Sequence, residues 1–245
     1  MRNSSAYLRL FVFFSFVIGF GFLTLKAWKS NLFPIHSIEL RSEQVTDQGL
    51  ADSVTRNLQN ELDVLRGQSL LELNVRSVEK DLRRQTWVKA YSIKKIWPCS
   101  LIVMMDFHQG KAMIKRGREF LILTDSGLIL PLLNESQKRL PVLVGANFMH
   151  SESLRSQVLK FLSELPAKGA FAADQITDIR FDERAGFVLR VHGSSARIEM
   201  GKQSFNLKAA RAQQVLDYLQ TRQLEARVIN TNLSKKVLVR LRRDP

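Results

Sequence analysis

The sequence predicts an α+β protein: an N-terminal transmembrane helix, a β-α-α-β-β domain, then a mostly antiparallel β domain carrying two helices. Three observations predict it. A charge-free apolar run lies near the start, and two apolar helical stripes sit between short strands in residues 34–109. From residue 110 onward, alternating strands and turn residues dominate, with only two stretches of helical spacing.

The run from Leu10 to Leu25 contains no charge. Leu10, Phe11, Val12, Phe13, Phe14, Phe16, Val17, Ile18, Phe20, Phe22, Leu23 and Leu25 fill twelve of its sixteen positions. Together they are worth about −4 to −7 kcal/mol of insertion free energy. Sixteen helical residues reach ~24 Å, and including Leu8 to Trp28 brings the length to the ~30 Å of a hydrocarbon layer. Arg9 and Lys26 can snorkel, and Trp28 suits the interface. Residues 1–9 therefore read as a head and 10–28 as a signal anchor. A cleaved secretory signal is the rival reading, but KAWKSNLFP after Leu25 lacks a small-x-small cleavage site. The positive charges do not decide orientation, since Arg2 and Arg9 nearly balance Lys26, Lys29 and Arg41. A short head before a long tail is the single-pass plan that leaves the head in the cytoplasm and exports the rest.

About 215 residues follow the anchor, enough for two domains, and the mean hydropathy of −0.11 for the whole chain marks the remainder as water-soluble. With Cys99 the single cysteine, no intramolecular disulfide can form, so the exported part must be held by its cores. Thirty-seven basic against 23 acidic residues give a net charge of +14. The basic residues are spread in pairs such as Arg83-Arg84, Lys94-Lys95 and Arg242-Arg243 without aromatic interleaving, which argues against a nucleic-acid surface.

The first domain, residues 34–109, opens with a short strand over Ile35 to Leu40. Leu50, Val54, Leu58, Leu62 and Leu65 then form one helical stripe that Gly67 ends. Asn74 caps a second helix with Val75, Val78 and Leu82 on one face. Trp87 opens a strand that stops at Pro98, and the next strand alternates Leu101, Val103, Met105 and Phe107.

The second domain, residues 110–245, begins with KAMIK and the hairpin EFLILTDSGLIL, which turns at Asp125-Ser126-Gly127. After LPVLVG, Leu154, Val158, Phe161, Leu162 and Leu165 mark a helix stopped by Pro166. ITDIRFD, GFVLRVHG and ARIEMG form a meander. A helix starting near Asn206 turns Leu207, Val215, Leu216 and Leu219 inward, and ARVIN and KKVLVRL close the chain.

No residue is assigned to catalysis, a cofactor or a metal. His36, His108, His150 and His192 are far apart in sequence, and none has a second His or a Cys at helical or strand spacing, so no zinc signature occurs. His108 and Asp106 share the exposed face of a strand. No nucleophile elbow, phosphate loop or dinucleotide fingerprint occurs, so a non-enzyme is expected.

The order of these features resembles the FtsQ/DivIB family of bitopic cell-division proteins. The likeness is carried by Phe33-Pro34 with Ile35 and Ile38, Gly67 with Leu70 and Leu71, Trp87-Val88, and Trp97-Pro98-x-Ser100-Leu101. In the second domain it is carried by Ala112, Asp125-Ser126-Gly127 and Leu140-Pro141-Val142-Leu143-Val144-Gly145. Thr86, Asp106 and Asn230-Thr231-Asn232-Leu233 depart from the family's usual residues. The resemblance implies a POTRA domain at 34–109 and a β domain at 110–245, both periplasmic, in a non-enzymatic inner-membrane scaffold at the division septum. It implies FtsB and FtsL as partners of the β domain and other divisome proteins as partners of the POTRA domain.

The last strand is the expected docking site, with Leu233, Lys235, Lys236, Val237, Leu238, Val239, Arg240 and Leu241 as its residues. Val237, Val239 and Leu241 alternate inward while Lys236, Leu238 and Arg240 face out, a pattern that suits a sheet edge open to a partner strand. Lysine on an edge strand is equally an ordinary guard against aggregation. The alternative function is a POTRA-containing envelope export or secretion component.

Overall fold

The computed structural model describes residues 21, 33–42, 48–132, 140–233 and 236–242. Of the expected anchor, residues 10–28, only the helical Gly21 falls among them, so the transmembrane reading lies outside the described residues. Among the described residues no helix is long and apolar enough to cross a membrane. The chain divides into two units, one of residues 1–45 with 54–107 and one of 46–53 with 108–245.

The first unit is a β-α-α-β-β arrangement: β1 (Ser37–Ser42), α1 (Gln48–Leu62), α2 (Val75–Arg84), β2 (Val88–Ile96) and β3 (Ser100–Phe107). β3 lies in the middle of its sheet, parallel to β1 and antiparallel to β2. Alternation puts Leu101, Val103 and Met105 on the face that packs under Val54, Leu58 and Leu62 of α1 and Val78 and Leu82 of α2, all buried. The Asn74 side chain accepts the Arg76 N–H at 3.1 Å and so caps α2. Gly67, at φ +81°, makes the turn that ends the first helical segment.

The second unit holds a nine-stranded sheet. Its strands are β4 (Gly110–Arg116), β5 (Glu119–Thr124), β6 (Ile129–Pro131), β7 (Val142–Leu143), β8 (Ile176–Asp182), β9 (Gly186–Val191), β10 (Arg197–Gly201), β11 (Ala226–Asn230) and β12 (Leu238–Leu241). Its helices are α3 (Asn147–His150), α4 (Glu152–Ser163) and α5 (Phe205–Thr221), so a one-turn helix joins the two expected ones. The order β12-β11-β10-β9-β8-β7-β4-β5-β6 mixes five antiparallel pairs with three parallel ones. The parallel pairs, β4 with β7, β7 with β8 and β10 with β11, join strands that are not hairpin neighbours; α3 and α4 lie between β7 and β8, and α5 lies between β10 and β11.

The core of this unit is aromatic where helices meet sheet. Phe161 of α4 stacks on Phe187 of β9 with centroids 5.0 Å apart, and Phe205 of α5 meets both edge-on. Such packing holds both helices to the strands, and truncating one of these rings to Ala costs about 3–5 kcal/mol.

Two expectations require correction. Leu207 does not point inward but is 55% exposed. The buried stripe of α5 is Phe205, Ala209, Ala212 and Leu219, with Val215 and Leu216 packed beside it, and a residue two positions from Phe205 falls on the opposite face. His108 does not share an exposed strand face with Asp106: β3 ends at Phe107, and His108 is buried at 8% exposure against Ser126 and Asp125.

Candidate partner-binding edge

β12 is the terminal strand of the nine-stranded sheet, with β11 as its one neighbour among the described strands. Ile229 pairs with Val239 and Asn230 with Leu238. Val237 and Val239 pack against the main core, whereas Lys236, Leu238 and Arg240 face out, Leu238 being 47% exposed. Leu233 is exposed in the turn before the strand, and Lys235 lies outside the described residues. Leu241 corrects the expected alternation, for it is 49% exposed. A bulge at Arg227 sets Ala226 opposite Leu241 and Val228 opposite Arg240. The strand there outruns the core and leaves Leu241 on the rim of an open groove lined by Ser195, Ala226, Arg227, Arg240 and Arg242.

The turn that delivers the chain to β12 is pinned to β10. Thr231, fully buried, donates its hydroxyl to the Glu199 carbonyl at 2.8 Å, and Asn230 Nδ2 donates to Glu199 Oε2 at 2.7 Å. Lys208 of α5 donates Nζ to the Met200 carbonyl at 2.9 Å and to Asn232 Oδ1 at 3.2 Å, and burial pushes its ammonium below the ordinary lysine value. Asn230-Thr231-Asn232, which departs from the resembled family's residues, therefore builds the support of the edge.

The outward face of the sheet next to β12 carries a row that the sequence reading missed. Asp178 pairs with Arg190, Leu189 with Ile198 so that Arg190 stands beside Arg197, Arg197 with Val228, and Val228 with Arg240. Its carboxylates are engaged locally: Asp178 accepts Arg190 Nε at 2.6 Å and lies 3.6 Å from Arg180, and Glu199 lies 3.4 Å from Arg197 Nε. Within each strand the period of two puts Val188 with Arg190, and Arg197 with Glu199, on one face. The alignment of arginines across strands appears only with the register.

A Ser-His-Asp grouping at the β5–β6 turn does not have nucleophile geometry. Ser126 Oγ lies 3.2 Å and Asp125 Oδ1 3.8 Å from the same ring nitrogen, His108 Nδ1, whereas a charge-orienting carboxylate and a nucleophile must meet opposite nitrogens. The Thr124 hydroxyl meets Ser126 Oγ at 3.0 Å and accepts the Leu128 N–H at 3.2 Å, so these side chains close the turn. Among the described residues no group of three or more His, Cys, Asp or Glu is placed to hold a metal ion.

Comparison with known proteins places these features. Residues 112–232 match the family described as cell division protein FtsQ/DivIB, C-terminal, and residues 40–104 match the POTRA domain, FtsQ-type. Similar proteins include the cell division protein FtsQ of Syntrophotalea carbinolica, 23% identical over 73% of this chain and 66% of that protein. FtsQ of Geotalea daltonii is 21% identical over 72% of this chain and 67% of its own length. FtsQ of an Anaeromyxobacter species is 23% identical over 83% and 69%. The chain thus spans about two thirds of the length of the curated relatives it matches.

Proposed function

Because the chain belongs to the FtsQ/DivIB family of cell-division proteins, we propose that it is a non-enzymatic scaffold of the bacterial divisome, anchored in the inner membrane by residues 10–28. Its domains at 34–109 and 110–245 lie in the periplasm, and it brings FtsB and FtsL to the septum while the first domain meets other divisome proteins. The observation that carries the reading is the terminal position of β12, whose outer ladder has no strand beside it among the described residues. An incoming strand gains main-chain hydrogen bonds there, and Leu238 and Arg240 meet its side chains. The arginine row beside the edge favours an acidic partner, hastening encounter more than it deepens affinity.

Val239→Pro removes a main-chain donor and distorts the pleat. Co-purification of FtsB with the full chain is expected to be lost in this variant, with the protein still present at wild-type level. Because Val239 also packs on the core, Leu238→Ala serves as the second variant: it is expected to weaken capture while leaving the melting midpoint within about 0.5 kcal/mol equivalent of wild type. Undiminished capture by both would refute strand addition. A fluorescent fusion is expected at midcell, and a uniform envelope signal would remove the septal reading.

A further inference from the structure

Among the described residues, every large apolar side chain left exposed in the first unit sits at one end of it. They are Phe33 (42% exposed), Val64 (74%), Leu71 (55%), Ile96 (43%) and Trp97 (55%). The sheet brings them together: β1 and β3 begin and β2 ends at the same end, since Ser100 pairs with both Ser37 and Ile96. The turn after α1 returns to that end as well. Ile35 N–H donates to the Gln68 carbonyl at 2.9 Å, Gly67 N–H to the Ile35 carbonyl at 3.0 Å, and Leu70 N–H to the Phe33 carbonyl at 2.9 Å. Gln68 Nε2 reaches the Val64 carbonyl at 3.3 Å, and the Phe33 ring meets Trp97 edge-on with centroids 5.6 Å apart.

An exposed apolar cluster of this kind marks a contact with protein or membrane. The course of the chain selects the membrane. The charge-free run ends at Leu25 and Trp28 follows, five residues before Phe33. Five residues of chain span at most about 18 Å, so Phe33 is tethered close to the end of the span. The opposite end of the unit, where Val88 pairs with Phe107 and the chain leaves, carries none of these exposed residues. Tryptophan is suited to the headgroup layer, where its apolar ring is buried and its N–H edge stays wet, and phenylalanine and isoleucine beside it supply the apolar face that enters the acyl boundary. Lys95, the charge nearest Ile96 in sequence, has its ammonium engaged by the Leu70 and Leu73 carbonyls at 2.9 and 3.0 Å.

We propose that this end of the β-α-α-β-β unit is a lipid-contacting foot, with Trp97, Phe33 and Ile96 at its centre, resting in the interfacial layer of the bilayer that holds residues 10–28. The inference rests on the anchored reading and adds a second membrane contact, which fixes the unit's orientation at the membrane surface.

The test uses the full chain carrying Trp28→Phe, reconstituted in phosphatidylcholine and phosphatidylglycerol vesicles with or without bromine on the acyl chains. Two tryptophans remain, and Trp87 is buried at 2% exposure next to Val88 at the far end. Brominated lipid is expected to lower the fluorescence, and the loss is expected to vanish when Trp97→Phe is added. Trp97 left unquenched in protein that floats with the vesicles overturns the foot while leaving the anchor in place, and assigns the cluster to a protein partner. Protein that does not float with vesicles overturns the anchored reading and the foot with it.

Discussion

Gly186 and Gly201 meet backbone to backbone where β9 joins β10, at φ +72° and +75°, and a Cβ on Gly186 would enter the Gly201 carbonyl group. Gly186→Ala is therefore expected to lower stability by about 2–3 kcal/mol, read as a fall in the thermal midpoint. Gly193→Ala, at a similar φ of +76° but with open space around its Cβ, should cost about 1 kcal/mol. Asp182 is a second residue whose surroundings set its behaviour. The backbone N–H groups of Ala185 and Arg184 donate to Oδ1 at 2.8 and 2.9 Å and hold the carboxyl below the ordinary aspartate range. A folded value below the unfolded one contributes stability that is present above the ordinary aspartate range and is lost as pH falls through the folded value. Acid unfolding of Asp182→Asn is expected to show a shallower stability loss in that window, with the ¹³C titration of Asp182 in the parent chain centred below the ordinary range. The strand ends at Asp182, Gly186, Gly193 and Gly201 were legible in the meander ITDIRFD, GFVLRVHG and ARIEMG. Which glycine backs onto another backbone depends on the cross-strand register, which no single strand carries. The burial of His108 was hidden for the same reason, because Asp125 and Ser126 reach it from the next hairpin.

At the scale of elements, α5 shows how a helix is positioned by its small residues. Ala209 and Ala212 are fully buried and let the helix backbone approach the sheet, whereas Leu207 projects away. Ala209→Leu is expected to destabilise the domain by about 1–3 kcal/mol through overpacking, while Leu207→Ser should stay within about 0.5 kcal/mol, both measured by denaturant unfolding. Of the expected inward residues Val215, Leu216 and Leu219 do pack on the core, whereas Leu207 does not, and Ala209 and Ala212 escaped notice because alanine carries little periodic signal. α2 and α4 were legible from their apolar stripes, and α2 from its Asn74 cap as well; the Ser151 side chain, which accepts the Leu154 N–H and caps α4, comes from the structure. Alternation likewise identified β3 and the inward Val239 of β12, with Val237 just before it. It failed at Leu241, where the bulge at Arg227 ends the regular pairing.

At the scale of the molecule, the hairpins were legible because their partners are adjacent in sequence and joined by recognisable turn residues. The parallel pairings were not, since β4 with β7 and β10 with β11 form across intervening elements and leave no local trace. The strands so joined are unequal. β7 contributes two residues, Val142 and Leu143, which pair with Met113 and Ile114 on one side and Asp178 and Ile179 on the other. The sheet is thus narrow-waisted, with a three-strand leaf and a five-strand leaf sharing one short seam. The seam offers two paired positions on each side where β8 with β9 offers six, so the leaves are joined less by main-chain bonds than by the shared core, in which Ile114, Leu143, Ile179 and Phe187 are all buried.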